Sequence, residues 1–418
     1  ALLTGLVSTQ TLDDHIRNIL QTWFRFGVFD RAAYRNDDSQ INKAADAATA
    51  QRVEESAITL LRNRGVLPLS ARTVHSIAVI GKPATTFVTG GGSGNIDPFS
   101  YADPLDAIRA RAGHGMSVTY NDGSSPAAAV AAARAAGVAI VFASDYDTEG
   151  TDRSCLTLEC PNVNGNQDGL IEQVAGANPH TIVVLETGGP DLTPWRNQVA
   201  GLLEAWYPGE RGGTAIARVL FGDVDPSGHL PATFPAAAGD IPTAGDPEKY
   251  PGVNFNVYYK EGVFVGYRWY DEQHILPAYP FGFGLSYTRF RLSGLRVRPA
   301  RPGLRAPDGN PAVTVVSAAV KNVGARPGVA VPELYLGLPS PSPSVLQPPN
   351  QLKGFTRIWL APHRSARFSV ALSSRAFSYW NAAAQTWQVA PGCYRIRLGS
   401  SSRDLPLQAT VARGGARC

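Results

Sequence analysis

The densest group of residues able to do chemistry is the stretch Ser144-Asp145-Tyr146-Asp147-Thr148-Glu149-Gly150-Thr151-Asp152-Arg153, in which four carboxylates and an arginine follow the apolar run VAIVFAS. Ligands of open α/β sheets settle at the C-terminal ends of the strands. A carboxyl group there is placed to give or take a proton, and an arginine beside it to hold the loop or an anion. Solvated turns are also acidic, so the stretch by itself does not assign a role.

A second candidate is Gly90-Gly91-Gly92-Ser93-Gly94, which follows the strand-like SIAVIG. It matches neither GxGxxG nor a Gly-Lys-Ser/Thr phosphate loop, so dinucleotide and nucleotide binding are disfavoured. No GxSxG elbow occurs, which argues against a serine hydrolase. The four cysteines form two pairs in sequence, Cys155 with Cys160 and Cys393 with Cys418. An even, paired count suits disulfides in an oxidising compartment, with four free thiols as the alternative. Neither pair has metal-ligand spacing and the seven His are scattered, so no metal and no cofactor is expected.

The elements that must position these residues read as follows. Residues 11–35 carry Leu12, Ile16, Ile19, Leu20 and Phe24 at helical spacing behind Thr11, the expected N-cap, and a second helix is expected over 50–63. From 76 to 235, short β-branched runs (SIAVIG, SVTY, VAIVFAS, TIVVLET) alternate with Ala-rich helical segments, the series closing on WRNQVAGLLEAW and GGTAIARVLFG. Strands without polar alternation are buried on both faces, so a mostly parallel sheet layered by helices is predicted. Loops open after its strands at 81–100, 143–168 and 187–195. Residues 236–290, rich in Gly, Pro and aromatics, read as an ordered connector. Beyond 291 short alternating strands between Pro/Gly turns predict a separate β-sandwich, with the Pro/Ser tract 338–349 as a loop inside it.

At 418 residues two or three domains are expected, and a net charge of +4 with no basic stripe argues against nucleic acid as a partner. No run approaches the ~18 apolar residues of a membrane helix. The chain opens at Ala1 without an initiator Met or a signal-like segment, which predicts a processed or truncated start with something upstream.

Glu149-Gly150-x-Asp152-Arg153 resembles the acid/base loop of glycoside hydrolase family 3. VEESAITLLRNRGVLPL (53–69), IAVIG (77–81), GGGSG (90–94), AWYPGERGGTAIARVLFGDVDPSGHLPATFP (205–235), YYKEGVFVGYRWYD (258–271) and PFGFGLSYTRF (280–290) each resemble a family segment, in the family's order. VKNVGARPG, LKGFTRIWLAP and GCYRIRLGSSS resemble the fibronectin type III-like domain that ends many members. The resemblance implies residues 1–52 as the tail of a barrel helix and a linker, 53–235 as the α/β sandwich domain with the acid/base loop, 236–290 as connector, and 291–418 as the fibronectin type III-like domain.

It further implies a retaining, exo-acting β-glycosidase, with β-glucosides as the default substrate. Glu149 would be the general acid/base, Asp152 and Arg153 its loop support, and Gly91, Gly92 and Ser93 a loop on the substrate side. The nucleophile is expected on an N-terminal (β/α)8 barrel, outside this chain, on the same precursor or a separate chain. Asp145 is rejected for that role, because it sits four residues from Glu149 in one loop whereas the family draws its pair from two domains. Arg153 is expected to hold the loop through Asp152 or Asp147. Of the aromatics Trp195, Trp206, Tyr207, Tyr258, Tyr259, Tyr267, Trp269 and Tyr270, most are expected to pack in cores or interfaces. A secreted or periplasmic location follows from the cysteines, and inactivity without the barrel from the missing nucleophile. The competing reading is a non-catalytic carbohydrate-binding or scaffold protein.

Overall fold

In the structure, a computed structural model that describes every residue except 1, 3, 33–36, 161–162 and 343–344, the chain divides into two compact units, residues 1–46 and 47–418. In the first, α1 (Thr9–Arg25) begins at Ser8, whose hydroxyl accepts from the Thr11 amide at 3.0 Å. The cap is therefore Ser8 and not Thr11. The helix also stops at Arg25, short of residue 35, and residues 33–35 of that expectation lie outside the described part of the chain. Leu12, Ile16, Ile19, Leu20 and Phe24 are all exposed.

The chain continues through α2 (Lys43–Ala57), β1 (Thr59–Asn63), β2 (Ser76–Ile80), α3 (Pro104–Ala112), β3 (Ser117–Asn121), α4 (Pro126–Ala135), β4 (Val138–Ser144), α5 (Gln167–Ala177), β5 (Thr181–Glu186), β6 (Gly201–Glu204) and α6 (Gly212–Leu220). The sheet runs β1-β6-β5-β4-β2-β3, parallel throughout except for β1, which pairs antiparallel with β6. The helix expected over 50–63 thus ends at Ala57, and TLLRN is an edge strand. Leu60 and Leu61 are both buried, one in each of two cores on opposite faces of the sheet, a demand that a strand meets by alternation and a helix does not. Likewise WRNQVAGLLEAW contains strand β6.

The same alternation explains the continuous apolar runs. Ile140, Phe142, Ile182 and Val184 face a core shared with Leu105, Ile108, Ile216 and Leu220 of α3 and α6. Ala139, Val141, Val183 and Leu185 face the other, shared with Ala129, Ala133, Ile171 and Val174 of α4 and α5. Each large aliphatic side chain so buried contributes roughly 1.5–3 kcal/mol, and the two cores hold the strand ends in fixed register.

Past a connector whose one α-helix is α7 (Tyr267–Glu272) come β7 (Phe290–Pro299), β8 (Ala312–Asn322), β9 (Gly328–Ala330), β10 (Glu333–Gly337), β11 (Gln351–Phe355), β12 (Ile358–Leu360), β13 (Ser365–Ser373), β14 (Ser378–Asn381), β15 (Thr386–Val389), β16 (Gly392–Gly399) and β17 (Leu407–Arg413). The sheets β11-β10-β16-β17 and β13-β8-β7 enclose a core of Val316, Leu334, Leu336, Phe377, Tyr394, Ile396 and Leu398. Of the Pro/Ser tract, residues 343–344 lie outside the described part.

Among the described residues the sandwich pairs strands only within itself, but it is not free of the α/β part. Asp225 accepts from the Ser286 hydroxyl at 2.7 Å, the Tyr287 amide at 2.8 Å and the Val329 amide at 3.3 Å, and Arg357 donates to Ser227 Oγ at 2.9 Å. Cys155–Cys160 and Cys393–Cys418 are disulfide-bonded, the second tying the C-terminal residue to β16. Among the described residues no helix is long and apolar enough to cross a membrane.

Candidate active site

Ser144, the last residue of β4, lies beside Glu186, the last of β5. The loops that follow therefore leave the sheet side by side at its C-terminal edge. They meet through Arg153, whose Nη1 donates to Asp145 Oδ2 at 2.8 Å and to Asp191 Oδ1 at 2.6 Å, while Nε lies 2.8 Å from Asp147 Oδ1 and Nη2 donates to the Pro190 carbonyl at 3.2 Å. One guanidinium thus joins three aspartates from two loops, and its planar fork suits that work. The Cys155–Cys160 bridge closes a short loop just beyond it.

Tyr207, two residues past the end of the buried Glu204-Ala205 segment, braces the same root. Its hydroxyl donates to Asp145 Oδ1 at 2.9 Å and accepts from the Asp147 amide at 2.7 Å. The Gly188 amide, at 2.9 Å, gives Asp145 a further bond. Burial pushes the Asp145 carboxyl upward, the Gly188 amide and Arg153 opposing it. Burial pushes Asp191 up to about 8 against the pull of Arg153, and its Oδ2 is buried without a hydrogen-bond partner. One positive charge cannot balance three negative ones, and a proton held by Asp191 relieves the excess.

On the other flank of β4, the glycine-rich loop following β2 lies against the acidic loop. The Gly91 amide donates to the Asp147 carbonyl at 2.9 Å. A Cβ on Gly91 would fall 2.3 Å from both Tyr146 Oη and Thr148 Oγ1. Gly92 has φ +61°, and a Cβ there would lie 2.5 Å from the Cβ of Glu149. Only glycine lets the loops approach this closely. The contact delivers Ser93 to Glu149: the Ser93 amide donates to Oε2 at 3.0 Å, and its hydroxyl to the same oxygen. These bonds, the hydroxyl's first, hold the Glu149 carboxyl below its usual value.

Glu149 itself is exposed. Asp145, Asp147 and Asp191 gather on Arg153, and the exposed carboxyl groups of this loop are Glu149 and Asp152; of the two, Glu149 is the one that Ser93 of the glycine loop holds. A carboxyl so placed can give or take a proton.

Asp152 does not meet Arg153. It accepts from the Tyr250 hydroxyl of the connector at 2.7 Å, so Arg153 holds the loop through Asp147 and not Asp152. Sequence reasoning missed Asp191, the bracing role of Tyr207 and the contact from Tyr250. Asp191 could have been suspected as the one acid in the 187–195 loop, which opens beside the acidic one. Trp195 is buried and donates to Asp168 at 2.7 Å, Trp206 packs edge-on against Phe234, Tyr267 packs on Phe281 and Tyr335, Trp269 donates to the Asp240 carbonyl at 3.0 Å, and Tyr270 is buried. Tyr258 and Tyr259 are exposed.

Comparison with known proteins extends this picture. Residues 58–287 match the family model described as Glycosyl hydrolase family 3 C-terminal domain, and residues 330–402 match the Fibronectin type III-like domain. The chain is 34% identical to Thermostable beta-glucosidase B of Acetivibrio thermocellus over 98% of its own length and 53% of the relative's. It is 35% identical to the Exo-alpha-(1->6)-L-arabinopyranosidase of Bifidobacterium breve over 92% of this chain and 51% of that one. The crystal structure of DesR, a beta-glucosidase from Streptomyces venezuelae in complex with D-glucose, superposes with a TM-score of 0.86 at 32% identity, covering 99% of this chain and 65% of that one. The chain spans about half the length of these curated relatives.

Proposed function

The chain belongs to glycoside hydrolase family 3, and on that premise we propose that it is the acid/base-bearing part of a retaining, exo-acting β-glycosidase. Its substrate would be a terminal non-reducing β-glucoside. The observation that carries the reading is the placement of Glu149: an exposed carboxyl on a loop whose root is anchored by Arg153, hydrogen-bonded by Ser93 from the facing glycine loop.

In a retaining enzyme one carboxylate attacks the anomeric carbon while a second protonates the departing oxygen, then deprotonates the water that releases the sugar. Glu149 takes the second role. Its carboxyl is held low by Ser93, so it must pick up its proton as substrate docks, when desolvation and the loss of the Ser93 hydroxyl to a sugar oxygen both raise its pKa. The nucleophile comes from an N-terminal (β/α)8 barrel, on the same precursor or another chain. The apolar face of α1, with Leu12, Ile16, Ile19 and Trp23 exposed, supports a role in packing against further protein.

The default sugar rests on relatives named as beta-glucosidases, though one relative is named as an arabinopyranosidase; we assign the choice of glycone to the proposed barrel. The two disulfides support a secreted or periplasmic location. Hydrolysis of p-nitrophenyl β-glucoside, followed by NMR of the first-formed anomer, tests the proposal. The chain alone should be silent and the chain joined to its barrel should release the β-anomer. Turnover by the chain alone, or release of the α-anomer by the joined protein, contradicts it.

A further inference from the structure

A cavity of about 780 Å³ opens between the connector and the sandwich, and it shares no lining residue with the acidic loop. Its wall brings together Arg268 from α7, Lys353 from β11 and Arg375 from the turn before β14, with Asp308, Trp380 and Trp387. Three cations therefore converge from three separate elements. Among the described residues none of them forms an ion pair with a carboxylate. Asp308 accepts from the Ser373 hydroxyl at 2.5 Å and the Asn310 amide at 3.1 Å, neutral donors that leave it charged, so on this wall three cations face one anion.

Converging like charges cost stability in the chain alone. Lys353 records that cost: burial, then Arg268 and Arg375, press its ammonium down to about 8, and its hydrogen bond at 3.0 Å goes to a neutral partner, Gln351. Beside the cations, Trp380 and Trp387 face each other across the β14–β15 hairpin with ring centroids 5.3 Å apart, and they remain 47% and 46% exposed. The Arg375 guanidinium lies over the Trp387 ring, which fixes its fork, and the Trp380 ring stays open for an apolar sugar face.

We propose that this cavity binds an acidic oligosaccharide, its uronate carboxylate taken by Arg268, Lys353 and Arg375 and an adjoining sugar ring laid on Trp380. Guanidinium and ammonium groups supply charge-assisted bonds to a carboxylate, and the volume lies within the ~300–1,000 Å³ usual for small-molecule sites. Simple anions would use the cations and ignore the tryptophan; neutral sugars would do the reverse. The inference goes beyond the glycosidase reading and does not depend on Glu149.

Calorimetric titration of the chain with trigalacturonate, maltotriose and sulfate separates these cases. Trigalacturonate should bind saturably, with maltotriose and sulfate each weaker by about tenfold or more, the loss expected when charge-assisted bonds or ring contacts are missing. Arg375→Gln, an exposed position, and Lys353→Gln should each weaken trigalacturonate by about tenfold, whereas Trp380→Ala should weaken trigalacturonate and leave sulfate unchanged. Raising the pH from 7 to 9 should also weaken it, as Lys353 loses its proton, and should matter little in Lys353→Gln. Equal binding of maltotriose, sulfate binding as tight as trigalacturonate with no effect of Trp380→Ala, or no saturable binding of trigalacturonate would each overturn the proposal.

Discussion

Ser93 and Glu149 belong to loops following different strands, yet amide and hydroxyl of the one both bond Oε2 of the other. The pairing stabilises the ionised carboxyl, so Ser93 sets the resting protonation of Glu149.

Ser93→Ala should therefore raise the pKa of Glu149, since the hydroxyl's bond to the ionised form is lost while the amide's remains. Carbon-13 NMR titration of the glutamate carboxyls, with Glu149→Gln to assign the resonance, reads this directly. In a protein completed by the proposed N-terminal barrel, the alkaline limb of kcat/KM should move to higher pH in the same variant. A resonance that titrates unchanged would show that the serine does not tune the acid.

Arg153 is the joint between two loops, and removing it strands the fully buried Asp145 carboxylate, while Asp191, equally buried, loses a hydrogen-bond donor but already holds a proton. Arg153→Met should cost about 3–5 kcal/mol at neutral pH, the usual penalty for leaving a buried charge without its partner. The loss should shrink toward pH 5, as the buried Asp145 carboxyl, pushed upward and now without Arg153, takes up a proton. Arg153→Lys should restore only part, because one ammonium cannot reproduce bonds from Nε, Nη1 and Nη2 together. Urea denaturation at pH 5 and pH 8 measures this, and an equal loss at both would contradict the charge argument.

Asp191 gives a pH dependence of opposite sense to the common one. In the unfolded chain it releases its proton near 3.9, as an ordinary aspartate does, whereas in the folded protein burial keeps it protonated up to about 8. Between those limits the native state binds more protons than the unfolded one, so this residue's contribution to stability falls as pH rises. Asp191→Asn removes the titration and should flatten the decline in melting temperature between pH 5 and pH 8, becoming more favourable relative to the parent toward pH 8. Parallel melting curves for the two proteins across that range would rule it out.

How far these features could be read from the sequence differs by kind. The runs VAIVFAS and TIVVLET showed their burial on two faces, so the parallel sheet was foreseen. TLLRN is not separable from the helix before it, because five residues with two adjacent leucines have no period of their own; only the edge position beside β6 makes it a strand. In the site, Glu149 and the glycine loop were legible as motifs, and each was placed on its own strand end. The bond from Arg153 to Asp191 was not, because it spans 38 positions and depends on Ser144 standing level with Glu186 across two strands. Asp152, adjacent to Arg153 in sequence, turned instead to Tyr250, 98 positions away. Adjacency along a loop says little about where side chains point; strand register decides which loops meet.

If Glu149 moves the proton in both halves of the reaction, the leaving-group dependence of Glu149→Ala, in the chain joined to the proposed barrel, must reveal it. A positioned acid/base contributes about 10²–10⁴-fold, so glucosides of poorly acidic alcohols should slow by about that factor. Dinitrophenyl glucosides, whose leaving group needs no proton, should retain most of their glycosylation rate, with azide restoring the second step and yielding β-glucosyl azide. Asp145→Asn, which disturbs the loop root, should slow all substrates alike and gain nothing from azide. Full activity of Glu149→Ala on poor leaving groups, or azide rescue of Asp145→Asn in its place, would contradict the account.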